Sequence, residues 1–137
     1  MSQENVEILR AALNAWNRGD LEGGVMYFHP EVEFMPLRSQ TEGSYRGRAG
    51  VRAYTADTYE TFERFEISDG EFRDLGDRVL WSGIVRLRAR GSGIETTIPL
   101  AIVVEFSDGK ISLWDSFGSK DDALKAVGLE GGSTMGC

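Results

Sequence analysis

The sequence has 137 residues, 41% hydrophobic and 27% charged, enough for one globular domain that buries roughly two-thirds of its unfolded surface. A net charge of −7 argues against nucleic acid as a partner, because that association rests on clustered Lys and Arg neutralising phosphates. No run approaches the ~18 apolar residues of a membrane span, and Glu4, Glu7, Arg10, Arg18 and Asp20 replace the apolar core of a leader; the one cysteine, Cys137, has no partner for a disulfide, and a cytoplasmic location is expected.

Val6, Leu9, Leu13 and Trp16 recur at helical spacing, with Gly19 placed to stop a first helix. Asp20 can cap a short second helix that takes in Val25, Tyr27 and Phe28 and ends before Pro30. Residues 31–37 alternate as a first strand, with Val32 and Phe34 on its buried side and Glu31 and Glu33 on the wet one. His29, the single histidine, stands at the helix-to-strand junction and reads as structural, because no second histidine or cysteine lies near it to share a metal. A polar loop over 38–48 leads to a third helix with Val51, Tyr54, Thr58 and Phe62 on one face.

From Phe65 the hydrophobic period changes to two. Four runs, FEISDGEFRDL, RVLWSGIVRLRAR, IETTIPLAIVVEF and KISLWDSF, are separated by LGD, GSG and SDG, which predicts an antiparallel meander. Asp69-Gly70 reads as a bulge that curves the sheet. Ser119 with Asp122 predicts the start of a last short helix, stopped by Gly128. The domain is expected to span residues 1–129, followed by a disordered tail over 130–137. Three helices before a curved antiparallel sheet and one short helix after it predict an α+β cone with an internal cavity.

The segments ENVEILRAALNAWNRGDLEGG, YRGRAGVRAYT, FSDGKISLWDSF and ALKAVGL, in this order, resemble the nuclear transport factor 2-like superfamily and, within it, the SnoaL-like group. The resemblance covers about residues 3–129 and implies a cone closed by helices. The superfamily includes ketosteroid isomerases, polyketide cyclases, limonene epoxide hydrolases and catalytically silent modules, so it leaves activity open. The isomerases keep a tyrosine, an aspartate base and a protonated aspartic acid where this chain has Ala12, Met35 and Ala101. The epoxide hydrolases keep polar groups where it has Val32, Phe34, Gly83 and Val85. Neither constellation is present.

One acidic position survives the comparison. Asp115, between Trp114 and Phe117 in LWDSF, resembles the acidic residue that cyclases and epoxide hydrolases carry on the final strand, and a desolvated carboxylate there is a candidate general base. Arg86, Arg88 and Arg90 alternate along one face of the second meander strand. They read either as a solvated ladder, Arg88 opposite Glu95, or with Arg86 inside the cone mouth holding a carbonyl or an anion. Parity with the isomerases places Arg86 and Ala101 on the inner face. A two-residue SDG turn sets Asp115 opposite Ile102, and a three-residue turn sets it opposite Ala101.

The opposite face, with Trp81, Val85, Leu87, Ile98, Leu100, Ile102 and Val104, is also apolar. Two dry faces imply two covers, helices on one and a second subunit on the other, so a homodimer through the sheet is expected, as the resemblance also implies. Trp16, Met35, Tyr54, Arg86 and Ala101 are the positions expected to touch a ligand, a small apolar or aromatic molecule. No phosphate loop, cofactor fingerprint, nucleophile elbow or metal-ligand spacing occurs, so neither cofactor nor metal is expected. Two readings of function follow: a cofactor-independent cyclase, isomerase or hydrolase with Asp115 as base, or a non-catalytic ligand-binding or dimerisation module.

Overall fold

A computed structural model describes residues 2–37 and 45–128. Most of the loop expected at 38–48 and the whole tail at 130–137 lie outside the described residues. In chain order the elements are α1 (Ser2–Asn17), α2 (Leu21–Val25), β1 (Phe28–Met35), β2 (Tyr45–Arg46), α3 (Gly47–Thr61), β3 (Phe62–Asp74), β4 (Arg78–Ala89), β5 (Glu95–Ser107), β6 (Lys110–Phe117) and α4 (Lys120–Ala126).

The stripe on α1 buries Val6, Leu9 and Leu13 against the sheet, as its 3.6-residue period requires. Asp20 accepts from the Gly23 N–H at 2.9 Å and caps α2. That helix is shorter than expected. Gly23 and Gly24 give it little propensity, and the Tyr27 carbonyl is taken by the Ile111 N–H at 2.8 Å, so Phe28 opens β1 instead of closing a helix. His29 sits at this junction: its Nδ1 accepts from the Glu31 N–H at 3.0 Å and its Nε2 lies 3.7 Å from Asp108. On α3, Val51, Tyr54, Thr55 and Thr58 are buried, while Phe62 starts β3 and does not extend the helical face.

The six strands run β2-β1-β6-β5-β4-β3 across one sheet. The meander β3 to β6 is antiparallel, and β1 joins β6 in parallel, Phe34 beside Trp114 and Met35 beside Asp115, so the sheet is mixed. The register of β4 on β5 is the one that the alternation predicts: Arg88 opposite Glu95, Arg86 opposite Thr97, Ser82 opposite Ala101. A register shift between Ser68 and Glu71 is the bulge expected at Asp69-Gly70. It makes room for the buried Trp81 ring, which lies where a side chain on Gly70 or Gly83 would sit.

Two cores result. Helices α1 to α3 close over the inner face of the curved sheet, on Ile67, Val85, Leu100, Ile102, Val104 and Trp114. On the outer face α4, capped by Ser119 accepting from the Asp122 N–H at 3.1 Å, covers Leu80, Ala101 and Val103 with Ala123 and Leu124. No described helix is long and apolar enough to cross a membrane.

Candidate ligand-binding cavity

The inner face and the helices enclose a cavity of ≈ 190 Å³. Its roof is Ala12, Leu13 and Trp16 from α1, Leu21 and Val25 from α2, and Val51, Tyr54, Thr55, Thr58 and Tyr59 from α3. Its floor is Phe65 and Ile67 on β3, Val85 and Leu87 on β4, Ile98 and Leu100 on β5, and Trp114 and Ser116 on β6; Phe28 and Phe34 of β1 form a side wall. Phe28, Phe34, Leu100 and Trp114 of the lining are buried, whereas Leu21, Leu37, Phe62, Leu87 and Ile98 are partly exposed.

The wall is a connected series of rings. Phe65 meets Trp16 edge-on at 5.2 Å, Trp16 stacks on Tyr54 at 6.1 Å, and Tyr54 meets Phe34 at 5.3 Å. Phe34 and Phe28 each lie 5.6 Å from Trp114. Edge-to-face and offset contacts of this kind fix the rings relative to one another, so the wall is preformed.

Most of the polar atoms in the wall are turned to the protein. Trp16 Nε1 donates to the Phe65 carbonyl at 3.1 Å, Tyr59 Oη to the Trp16 carbonyl at 2.9 Å, Thr58 Oγ1 to the Tyr54 carbonyl at 2.8 Å, and Trp114 Nε1 to Ser116 Oγ at 3.2 Å. Burial, and then the negative charge of Asp20, raise the Tyr59 hydroxyl above the ordinary tyrosine value, so it is neutral and a donor. Asp20, which caps α2, is the one carboxylate among the described lining residues, and none of those is Lys, Arg or His.

Of the positions expected to touch a ligand, Trp16 and Tyr54 line this cavity. Met35, Arg86 and Ala101 do not, and the inward placement expected for them is corrected; nor does the candidate base Asp115, whose face the two hairpin registers leave open in the sequence. Alternation puts Phe34 and Pro36 inward and Met35 outward. Ala101 is buried beneath α4, and Arg86 shares its face, with Nη1 donating to Ser68 Oγ at 2.8 Å. The SDG hairpin does turn on two residues, Asp108 at φ 55° and Gly109 at φ 74°, both left-handed as a tight hairpin requires. Phe106 then pairs with Ile111 and Glu105 with Leu113, so Ser112 is an extra residue. That bulge moves Asp115 opposite Val103, neither Ile102 nor Ala101.

Asp115 therefore lies outside the cone, half-buried beside Met35. Burial first, then the charge of Glu33, hold its carboxyl above the usual carboxylate range, against a hydrogen bond from the Ser116 backbone. Arg86 is no partner for it: their neighbours on β5, Thr97 and Val103, are six positions apart, or about 20 Å along a strand. Arg88 pairs with Glu95 at 3.1 Å and Glu63 at 3.3 Å on exposed ground, which is the solvated ladder. The face with Val85, Leu87, Ile98 and Leu100, assigned from the sequence to a second subunit, is the one that the helices cover.

Sequence reasoning missed Thr55 and Ser116, two buried lining residues that carry aliphatic hydroxyls, as Thr58 does. Thr55 falls four residues after Val51, and Ser116 two after Trp114, so their periods carried the signal once the inner face was known. Among the described residues no three of His, Cys, Asp and Glu stand together as metal ligands.

The fold and the cavity can be set beside known proteins. The SnoaL-like domain family matches residues 9–114. The chain belongs to the SnoaL-like family. Among solved structures, TerC co-crystallised with polyporic acid is similar at 21% identity and a TM-score of 0.75, over 89% of this chain and 96% of that one. An NTF2-like protein of unknown function from Burkholderia pseudomallei K96243 is 20% identical, with a TM-score of 0.76 over 92% of this chain and 98% of that one. A protein of ketosteroid isomerase-like fold from Catenulispora acidiphila DSM 44928, in complex with trimethylamine, is 18% identical, with a TM-score of 0.73 over 94% and 98%. At such identities these likenesses establish the SnoaL-like fold. No curated protein sequence matches the chain.

Proposed function

We propose that this SnoaL-like protein holds a small, largely apolar aromatic molecule inside its cone, and that the cavity works by binding and not by carboxylate acid–base chemistry. The observation that carries this reading is the continuous ring wall around a ≈ 190 Å³ space while Asp115 lies on the opposite face of the sheet. An engineered cavity of about 150 Å³ lined by apolar side chains takes benzene, so this one suits one ring or a fused pair. TerC co-crystallised with polyporic acid, and the Catenulispora protein in complex with trimethylamine, support a small-molecule role for a protein of this fold.

Naphthalene is a suitable probe. At about ten times its dissociation constant it stabilises the folded state by about 1.4 kcal/mol, read as a rise in the thermal midpoint. Ile98→Trp, which sets a large ring at a partly exposed position of the lining, removes that rise. A rise that survives the substitution places the binding elsewhere and overturns the reading.

We also infer that a second copy of the chain covers the outer face beyond α4, where Ile84, Pro99, Leu113 and Met35 stand unprotected by a helix. The superfamily resemblance and this apolar ground support it. Sedimentation at micromolar concentration is expected to give twice the 15.2 kDa chain mass; a monomer removes it.

A further inference from the structure

Buried polar groups are paired in folded proteins, and a buried hydroxyl without a partner costs about 1–3 kcal/mol. Two hydroxyls in the cavity break this pattern. Thr55, on the roof, is 4% exposed, and among the described residues nothing pairs with its Oγ1, although Thr58 and Thr61 on the same helix each donate to the carbonyl four residues back. Ser116, on the floor, is 7% exposed. Its Oγ accepts from Trp114 Nε1, and no described acceptor takes its proton. An oxygen that is already accepting becomes a better donor, so the indole and the hydroxyl together present one polarised O–H at the floor.

The charges around the cavity select what that O–H can meet. No described lining residue is cationic, Asp20 is the one lining carboxylate, and the chain carries −7 overall. An anion buried here would meet no compensating cation, which is strongly unfavourable. A cation is attracted by ring faces, but it would leave the Ser116 proton at the floor without an acceptor. A neutral oxygen suits either hydroxyl: it accepts from Ser116, and Thr55 can donate to it or accept from it.

Resting on the reading of the cone as an aromatic chamber, we propose that its occupant is a neutral molecule of one or two rings bearing a carbonyl or phenolic oxygen, which pairs with the Ser116 and Thr55 hydroxyls. The rings supply most of the affinity and the oxygen fixes the orientation. Thr55 then has a function that the folded protein alone does not explain, and the unpaired state is the empty one.

The test compares 2-naphthol, naphthalene, 2-naphthoate and tetramethylammonium by calorimetry and thermal shift. One net hydrogen bond of about 0.5–1.5 kcal/mol makes 2-naphthol roughly three- to tenfold tighter than naphthalene, with 2-naphthoate and tetramethylammonium weaker than both. Thr55→Val, matched in shape, brings the naphthol-to-naphthalene ratio towards one, and it raises the midpoint of the empty protein, because an unpaired buried hydroxyl is gone. Ser116→Ala brings the ratio down as a second, independent variant. Equal binding of naphthol and naphthalene, an unchanged ratio in both variants, or a lower midpoint for Thr55→Val overturns the oxygen anchor while leaving the aromatic chamber standing. Tighter binding of naphthoate or of tetramethylammonium assigns the site to an ion and overturns it as well. If no probe binds, the chamber itself fails.

Discussion

A carboxylate in a strand of large apolar residues invites a catalytic reading, and Asp115 shows how one residue of register changes the chemistry. Its raised pKa has a definite consequence for stability. Because the folded state binds the proton more tightly than the unfolded one, Asp115 imposes no penalty below the unfolded value of about 3.9. The penalty appears as pH rises through the raised folded value and stays constant above it. Asp115→Asn is therefore expected to raise the thermal midpoint at pH 7, with the gain shrinking as pH falls through the raised folded value and gone below about 4, and to leave naphthalene affinity within about twofold, since the side chain is outside the cone. A large loss of affinity would return Asp115 to the cavity. The sequence could place this residue on its strand but not on its face. Leu80, Ala101 and Val103 are as apolar as Val85, Leu100 and Ile102, because α4 dries the outer side as the other helices dry the inner one, and the extra residue Ser112 announces itself in no local pattern.

Elements were more legible than faces, because their signals are local. The α1 stripe, the Asp20 and Ser119 caps, the DG bulge and the β4–β5 register follow from spacing and turn chemistry alone. The departures, a short α2 and an early β1, come from pairing between Tyr27 and Ile111, residues far apart in the chain. Two substitutions probe how elements are joined. Arg90 donates to the Tyr59, Glu60 and Phe62 carbonyls, tying the β4–β5 hairpin to the negative end of the α3 dipole. Arg90→Ala is expected to cost about 1 kcal/mol in chemical denaturation, and Arg90→Lys, which cannot span three acceptors, to recover only part of it. Gly83→Ala would set a methyl 2.7 Å from the Ser68 carbonyl and from the Trp81 ring, and overpacking of this kind costs about 1–3 kcal/mol; pairing it with Trp81→Phe should restore part of the loss.

At the scale of the molecule, the cone separates its two tasks by sheet face. The inner face belongs to the helices and to a ligand, the outer one to α4 and, as we infer, to a second copy. A change on the outer face such as Leu113→Arg is accordingly expected to shift sedimentation towards monomer while thermal shift by naphthalene persists. Loss of both together would show that the faces are not independent. The place of β1 adds a temporal constraint. This strand emerges early in synthesis, yet its long neighbour is β6, so Phe34 waits for Trp114, eighty positions later, before its edge is covered. Until the ribosome has released the last strand, the ring wall lacks its Trp114 end and β1 keeps an open edge. A nascent chain arrested before Lys110 should therefore be protease-sensitive throughout, and protection should arrive in one step once β6 has cleared the exit tunnel.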